Sequence, residues 1–170
     1  MPGGQPVGSN VLISVTKTRP SDTTAYGAGD VISESTGSGT AWTFPNAAKV
    51  KGGSGTIVRA VILDDDTGRT QTGVLLLFNI TPTGNLNDNA ANTEPLSGTD
   101  DNFIGAMEFD ALIDQGTGYS YATAVPGNSN LPMPFKCVQG DASIYGVLST
   151  TAFTPSSAEV FRITLQVVQD

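Results

Sequence analysis

The sequence predicts an all-β protein: a single-domain β-sandwich, most simply a jelly roll, with a flexible N-terminal arm. Three observations lead there. Short apolar segments with a period of two recur along the chain. The stretches between them are rich in turn formers, with 20 Gly and 10 Pro among 170 residues. No segment sustains a long helical period. A chain of this length makes one domain, able to bury about 70% of the surface its unfolded form exposes.

Residues 1–9 contain Pro2, Gly3, Gly4 and Pro6 and little that can be buried, so they are expected to form the arm; the sandwich spans 10–170. The first strand covers residues 10–18, with Val11, Ile13 and Val15 on one face and Ser14 and Thr16 on the other. A turn-rich stretch, 19–29, precedes short β-type pieces at 30–34 and 40–44. The two strongest strands are 56–63 and 73–80. Asp64-Asp65-Asp66-Thr67-Gly68-Arg69 between them is rich in turn formers, which predicts a hairpin. Val74-Leu75-Leu76-Leu77-Phe78 is apolar on both faces. It suits a central strand covered on both sides, or one whose outer face meets another subunit, and this marks Leu75 and Leu77 as candidate interface residues.

Residues 81–101 read as one long loop, with seven Asn and Asp residues from Asn85 to Asp101. Loops of that length in a compact domain are usually functional. Its large apolar anchors, Leu86 and Leu96, join the interface candidates, as do Pro2, Gly3, Gly4 and Pro6 of the arm. Residues 102–114 fit either a helical face of Phe103, Met107 and Ala111 after an Asp101 cap or a strand with Phe103, Met107 and Phe109; a strand to about Phe109 followed by a short helical turn is favoured. Further strands are expected at 119–124, 135–138 and 143–149. The last, 158–169, alternates most cleanly: Phe161, Ile163, Leu165 and Val167 point one way, and Arg162, Thr164 and Gln166 the other.

The chemistry is constrained by what is missing. The chain has no histidine and one cysteine, Cys137. This removes histidine-based catalytic pairs, Cys/His metal cages and internal disulfides, so no enzyme activity and no cofactor is expected. One unpaired thiol fits synthesis in a reducing cytoplasm. A net charge of −8 with only 14% charged residues argues against nucleic acid or an anionic membrane as partner. The N-terminus lacks a signal-peptide pattern, and no apolar run approaches the ~20 residues of a membrane span.

Several motifs have sharper and blander readings. Asp64-Asp65-Asp66 offers carboxylates for calcium, but lacks the alternating spacing of a calcium loop and reads better as a solvated turn. Asn87-Asp88-Asn89 with Asp100-Asp101 is a second oxygen-rich stretch, and such residues also fill ordinary loops. No carboxylate pair is singled out for glycoside hydrolysis. Gly52-Gly53-Ser54-Gly55 lacks the Lys-Ser/Thr of a phosphate loop and reads as a turn. Trp42, Phe44, Tyr119 and Tyr121 fit core or interface better than a sugar platform. Cys137 reads as an inert buried thiol, and Arg59 and Arg162 as outward residues on a sheet or inter-subunit ion-pair partners.

Thr18-Arg19-Pro20, the stretch Asp22-Thr23-Thr24-Ala25-Tyr26-Gly27-Ala28-Gly29-Asp30-Val31-Ile32, then Ile144-Tyr145-Gly146-Val147-Leu148 and Ala152-Phe153-Thr154-Pro155, are familiar in combination. Together they resemble a broad group of small structural proteins of tailed bacteriophages whose members include head decoration, or cement, proteins. The resemblance implies a jelly roll or related sandwich, oligomeric, on the outer surface of a virion shell. Its partners would be the major capsid protein and further copies of itself, as a dimer or trimer. A carbohydrate- or receptor-binding sandwich from a tail fibre or baseplate is the alternative.

Overall fold

The computed structural model describes residues 9–95, 102–127 and 129–170. In chain order the strands are β1 (Ser9–Thr18), β2 (Asp30–Val31), β3 (Trp42–Phe44), β4 (Ser54–Asp64), β5 (Gly73–Phe78), β6 (Phe103–Phe109), β7 (Ile113–Asp114), β8 (Ser120–Ala124), β9 (Met133–Lys136), β10 (Ile144–Thr150) and β11 (Val160–Gln169). They form two antiparallel sheets. In the first the order is β1-β11-β4-β8-β7, with β9 also paired to β4; in the second it is β2-β10-β5-β6, with β3 also paired to β10. The strand order is compatible with the jelly roll expected from the sequence. The arm expected over residues 1–9 lies outside the described residues except for Ser9, which opens β1.

The sheets pack face to face because each strand alternates. In β11, Phe161, Ile163, Leu165 and Val167 point inward and are fully buried, while Arg162 is exposed. Opposite them the second sheet contributes Trp42, Phe44, Leu75, Leu77, Met107, Ile144 and Leu148 to the same core. Gly146 sits where a Cβ would come within 2.8 Å of Leu75 Cδ1, so a side chain there would displace a core leucine.

Three expectations are corrected. The segments 56–63 and 73–80 are not a hairpin: β4 belongs to the first sheet and β5 to the second. Residues 65–72 carry the chain over the end of the sandwich, and this lets two strongly apolar strands face each other across one core. No helical turn follows Phe109; the chain goes directly to the short pair β7–β8, with Ile113 opposite Tyr121. Leu75 and Leu77, the interface candidates on β5, have 0% exposure and point into the chain's own core.

The outer face of β5 is also covered from within the chain. Val31, Leu76, Phe78 and Val147 form a second buried cluster, against which Val74, Leu86, Phe103 and Ala106 pack. Of the stretch 79–95, Leu86 packs against this cluster, so the same chain supplies part of the cover over the outer face of β5.

Candidate functional site

The stretch 85–92 binds along β2 and the segment that follows it. Val31 N donates to Ala90 O at 2.9 Å, Asn89 N to Val31 O at 2.9 Å, Asn92 N to Gly29 O at 3.0 Å, and Asp88 N to Ser35 O at 2.7 Å. Gly39 permits the close approach beside it, since a Cβ there would lie 1.9 Å from Leu86 O. Gly39 N donates to Asn87 Oδ1 at 3.0 Å. The Asn- and Asp-rich loop is thus tied down by its own side chains and backbone over 85–92.

Its anchor is a buried polar knot. Arg19 and Asp88 have completely buried side chains and pair at 3.1 Å. Arg19 Nε donates to Tyr26 Oη at 2.7 Å, and Tyr26 Oη donates to Asp88 Oδ1 at 2.6 Å. Ser33 N donates to the same carboxylate oxygen at 2.9 Å. Arg19 also donates to the carbonyls of Asp22 and Ser156. Burial, then the hydrogen bond to Asp88, pushes the Tyr26 phenol far above its ordinary range.

Phe153 completes the arrangement. Its ring stacks on Tyr26 at 4.9 Å with an interplanar angle of 7°, and Tyr26 N donates to Phe153 O at 2.9 Å. Beside it β2 pairs with the end of β10, Asp30 opposite Thr150 and Val31 opposite Ser149. The strings of the first 32 residues and those of 144–155, distant in sequence, therefore meet as one structural unit.

At a neighbouring corner Asp64 and Glu159 are buried with no side-chain exposure, and Arg69 reaches both. Arg69 Nε is 2.7 Å from Glu159 Oε1 and 4.0 Å from Asp64 Oδ2, and its Nη2 is 2.5 Å from Asp66 Oδ2. Gln71 Nε2 donates to Asp64 Oδ2 at 3.0 Å. Burial, reinforced by the Glu159 carboxylate, pushes Asp64 well above the usual carboxylate range. The Asp64–Asp66 run is therefore not simply a solvated turn: Asp64 is a core group and Asp66 an arginine partner. Among the described residues no group of three acids, cysteines or histidines is placed to hold a metal ion.

A third polar contact closes the other end. Lys17, an inward residue of β1, bonds Glu34 and donates to Thr40 O at 2.5 Å, with Nζ 5.6 Å from the Trp42 ring centre. Burial opposes the Glu34 charge, but bonds from Lys17, Thr40 and Ser33 hold its carboxyl down at about 2.

Of the interface candidates, Leu75 and Leu77 are core and Leu86 seals the outer cluster; Pro2, Gly3, Gly4, Pro6 and Leu96 lie outside the described residues. Trp42 and Phe44 are buried, whereas Tyr119 is 46% exposed and meets Tyr121 edge-on at 6.4 Å. Cys137 is buried, and burial raises its thiol pKa. Arg59 and Arg162 are exposed on the outer face of the first sheet. Sequence reasoning missed the roles of Arg19, Asp88 and Glu159. The one local signal was a cation, Arg19, inside a turn-rich stretch.

No family model matches the chain, and no curated protein matches it. Among solved structures it is similar to a chain of the capsid of Ralstonia phage GP4. The two share 16% identity over 100% of this chain and 89% of that one, with a TM-score of 0.45.

Proposed function

We propose that this chain is a non-enzymatic structural protein of a bacteriophage virion, decorating and stabilising the capsid by binding between major capsid subunits on the outer surface. The observation that supports it most is the convergence of the strings resembling phage head proteins. Arg19, Tyr26 and Phe153 meet at the buried knot, and β2, which begins at Asp30, pairs with the end of β10 beside it. Their partners are other protein groups, so they act by fixing a scaffold and its loops. Beyond the knot, the buried ionisable side chains Lys17, Asp64 and Glu159 are likewise engaged by neighbours. The acidic remainder keeps particles dispersed.

In this reading the arm with Pro2, Gly3, Gly4 and Pro6, and the segment around Leu96, contact the shell. Ordering on a partner suits proline-containing segments, whose unbound entropy is already limited. Deleting residues 2–8 leaves the melting temperature unchanged and weakens binding to empty capsids. Quantitative mass spectrometry of purified virions tests the whole reading. Copy number in proportion to the major capsid protein supports it; absence from the particle overturns it.

Tyr119 favours a second reading, a carbohydrate-binding sandwich of a tail fibre or baseplate. It lines a groove of about 410 Å³ with Thr16, Leu63, Asp65 and Arg162. An exposed aromatic beside hydrogen-bonding groups is what sugar stacking requires. Low copy number with the tail fraction, and glycan binding lost in Tyr119→Ala, would establish this alternative.

A further inference from the structure

Strand β1 is an outer strand of the first sheet, ten residues long, and among the described residues it pairs only with β11. The ladder's polarity is set at its end, where Arg19 N donates to Glu159 O at 3.0 Å. Alternation along an antiparallel ladder then turns the backbone groups of Val11, Ile13, Val15 and Lys17 toward β11. Those of Asn10, Leu12, Ser14 and Thr16 face outward, and among the described residues none of them has a backbone partner.

Edges of this kind are normally blocked by shortness, charge, proline, a bulge or a covering segment. The other strands that end or flank a sheet here show those devices. β7 has two residues and β3 three, and β9 contains Pro134. β2 is covered by Ala90 and its neighbours. β6 lies opposite a register shift at Leu77/Phe78, and Asn130 Nδ2 donates to its Ala106 O at 2.9 Å. β1 has no proline, and its register with β11 is unbroken. Its one charged residue, Lys17, points inward onto Glu34. Leu12 is 69% exposed beside a groove of about 500 Å³ lined also by Val11, Pro45, Asn46 and Lys49, which leaves room for another strand.

We propose that β1 pairs antiparallel with β1 of a second copy, joining the two first sheets across a twofold axis. A partner strand must itself have an unguarded edge, and among the described strands β1 is the one that has it. Antiparallel pairing about a twofold is self-complementary, so each copy supplies the donors and acceptors the other lacks. Copies with a net charge of −8 repel each other, but β1 contains no carboxylate, so pairing at this edge sets no carboxylate of β1 against its like. The exposed Leu12 side chains then share one continuous outer face. This pairing is independent of the virion reading.

Sedimentation velocity over a micromolar concentration series tests it, using the whole chain and the variants Leu12→Pro and Ser14→Pro. Each variant removes an N–H that β11 does not use, so the far-ultraviolet spectrum stays that of the parent. A concentration-dependent dimer is expected for the parent, with association weakened about tenfold or more in each variant, as the loss of ladder bonds at a twofold contact requires. Amide hydrogen exchange gives a readout that needs no variant. Leu12, Ser14 and Thr16 gain protection as concentration rises, while Ile13 and Val15 are protected throughout. A parent that stays monomeric, association unchanged by both prolines, or edge amides protected only on phage heads would each overturn the proposal.

Discussion

Arg19 and Asp88 stand 69 residues apart in sequence and meet at 3.1 Å with no solvent exposure of either side chain. The pair fastens the 85–92 stretch to the turn after β1. Tyr26 and Ser33 donate to the same carboxylate, so removing it leaves three donors short of an acceptor.

Asp88→Ala is therefore expected to destabilise the fold by about 3–5 kcal/mol, the usual result of stranding one member of a buried ion pair. At roughly 2–4 °C per kcal/mol for a domain of this size, Tm falls by about 10 °C in calorimetry. A shift of only a degree or two, on the same scale, would show that the knot does not hold the loop.

Gly39→Ala tests the contact at the loop's other side. A methyl group 1.9 Å from Leu86 O has no room, and the obstacle is backbone. The 85–92 segment must lift, exposing Leu76 and Phe78 beneath Leu86. Faster amide exchange at Val31 and Asn89 is the expected signature, together with a lower Tm; unchanged exchange at both would contradict it.

Leu75 and Leu12 should respond in opposite ways. Leu75→Ala empties a fully buried site facing Gly146 and should lose about 2–5 kcal/mol in denaturant unfolding. Leu12→Ala, at an exposed position, should leave monomer stability within about 0.5 kcal/mol. Equal effects would mean that the assignment of inward and outward faces is wrong.

Asp64 sets the expected pH dependence. Its carboxyl titrates above the ordinary range in the fold, because burial and then Glu159 oppose its ionisation. The folded state thus holds a proton that the unfolded chain releases earlier. Stability from this group is complete below the usual carboxylate pKa and is lost as pH rises through the raised folded value. Asp64→Asn should remove that decline. The variant's amide can be accommodated by rotation of Gln71, whose Oε1 is buried without a partner. Thermal melts of parent and variant from mildly acid to alkaline pH should diverge upward in favour of the variant; parallel curves would exclude Asp64 as the titrating group.

The alternation of β1, β4 and β11 was legible in the residues, because side chains on successive strand residues point to opposite faces whatever the strand pairs with. The same alternation gave the all-β class, and the absence of histidine restricted the chemistry before any geometry was known. Which strands share a sheet was decided only in three dimensions. Asp64 to Arg69 looks like a hairpin turn because turn residues report local backbone freedom, whereas the partners of β4 and β5 are β11 and β10, far along the chain. Leu75 and Leu77 illustrate the same limit. A run apolar on both faces states that both must be covered but not by what, and on the outer face Leu86 of the same chain packs on the cluster. Beyond the cation Arg19 in a turn-rich stretch, the meeting of Arg19, Tyr26, Asp88 and Phe153 left no local pattern, because a buried polar network is specified by the fold that brings its members together, not by their spacing.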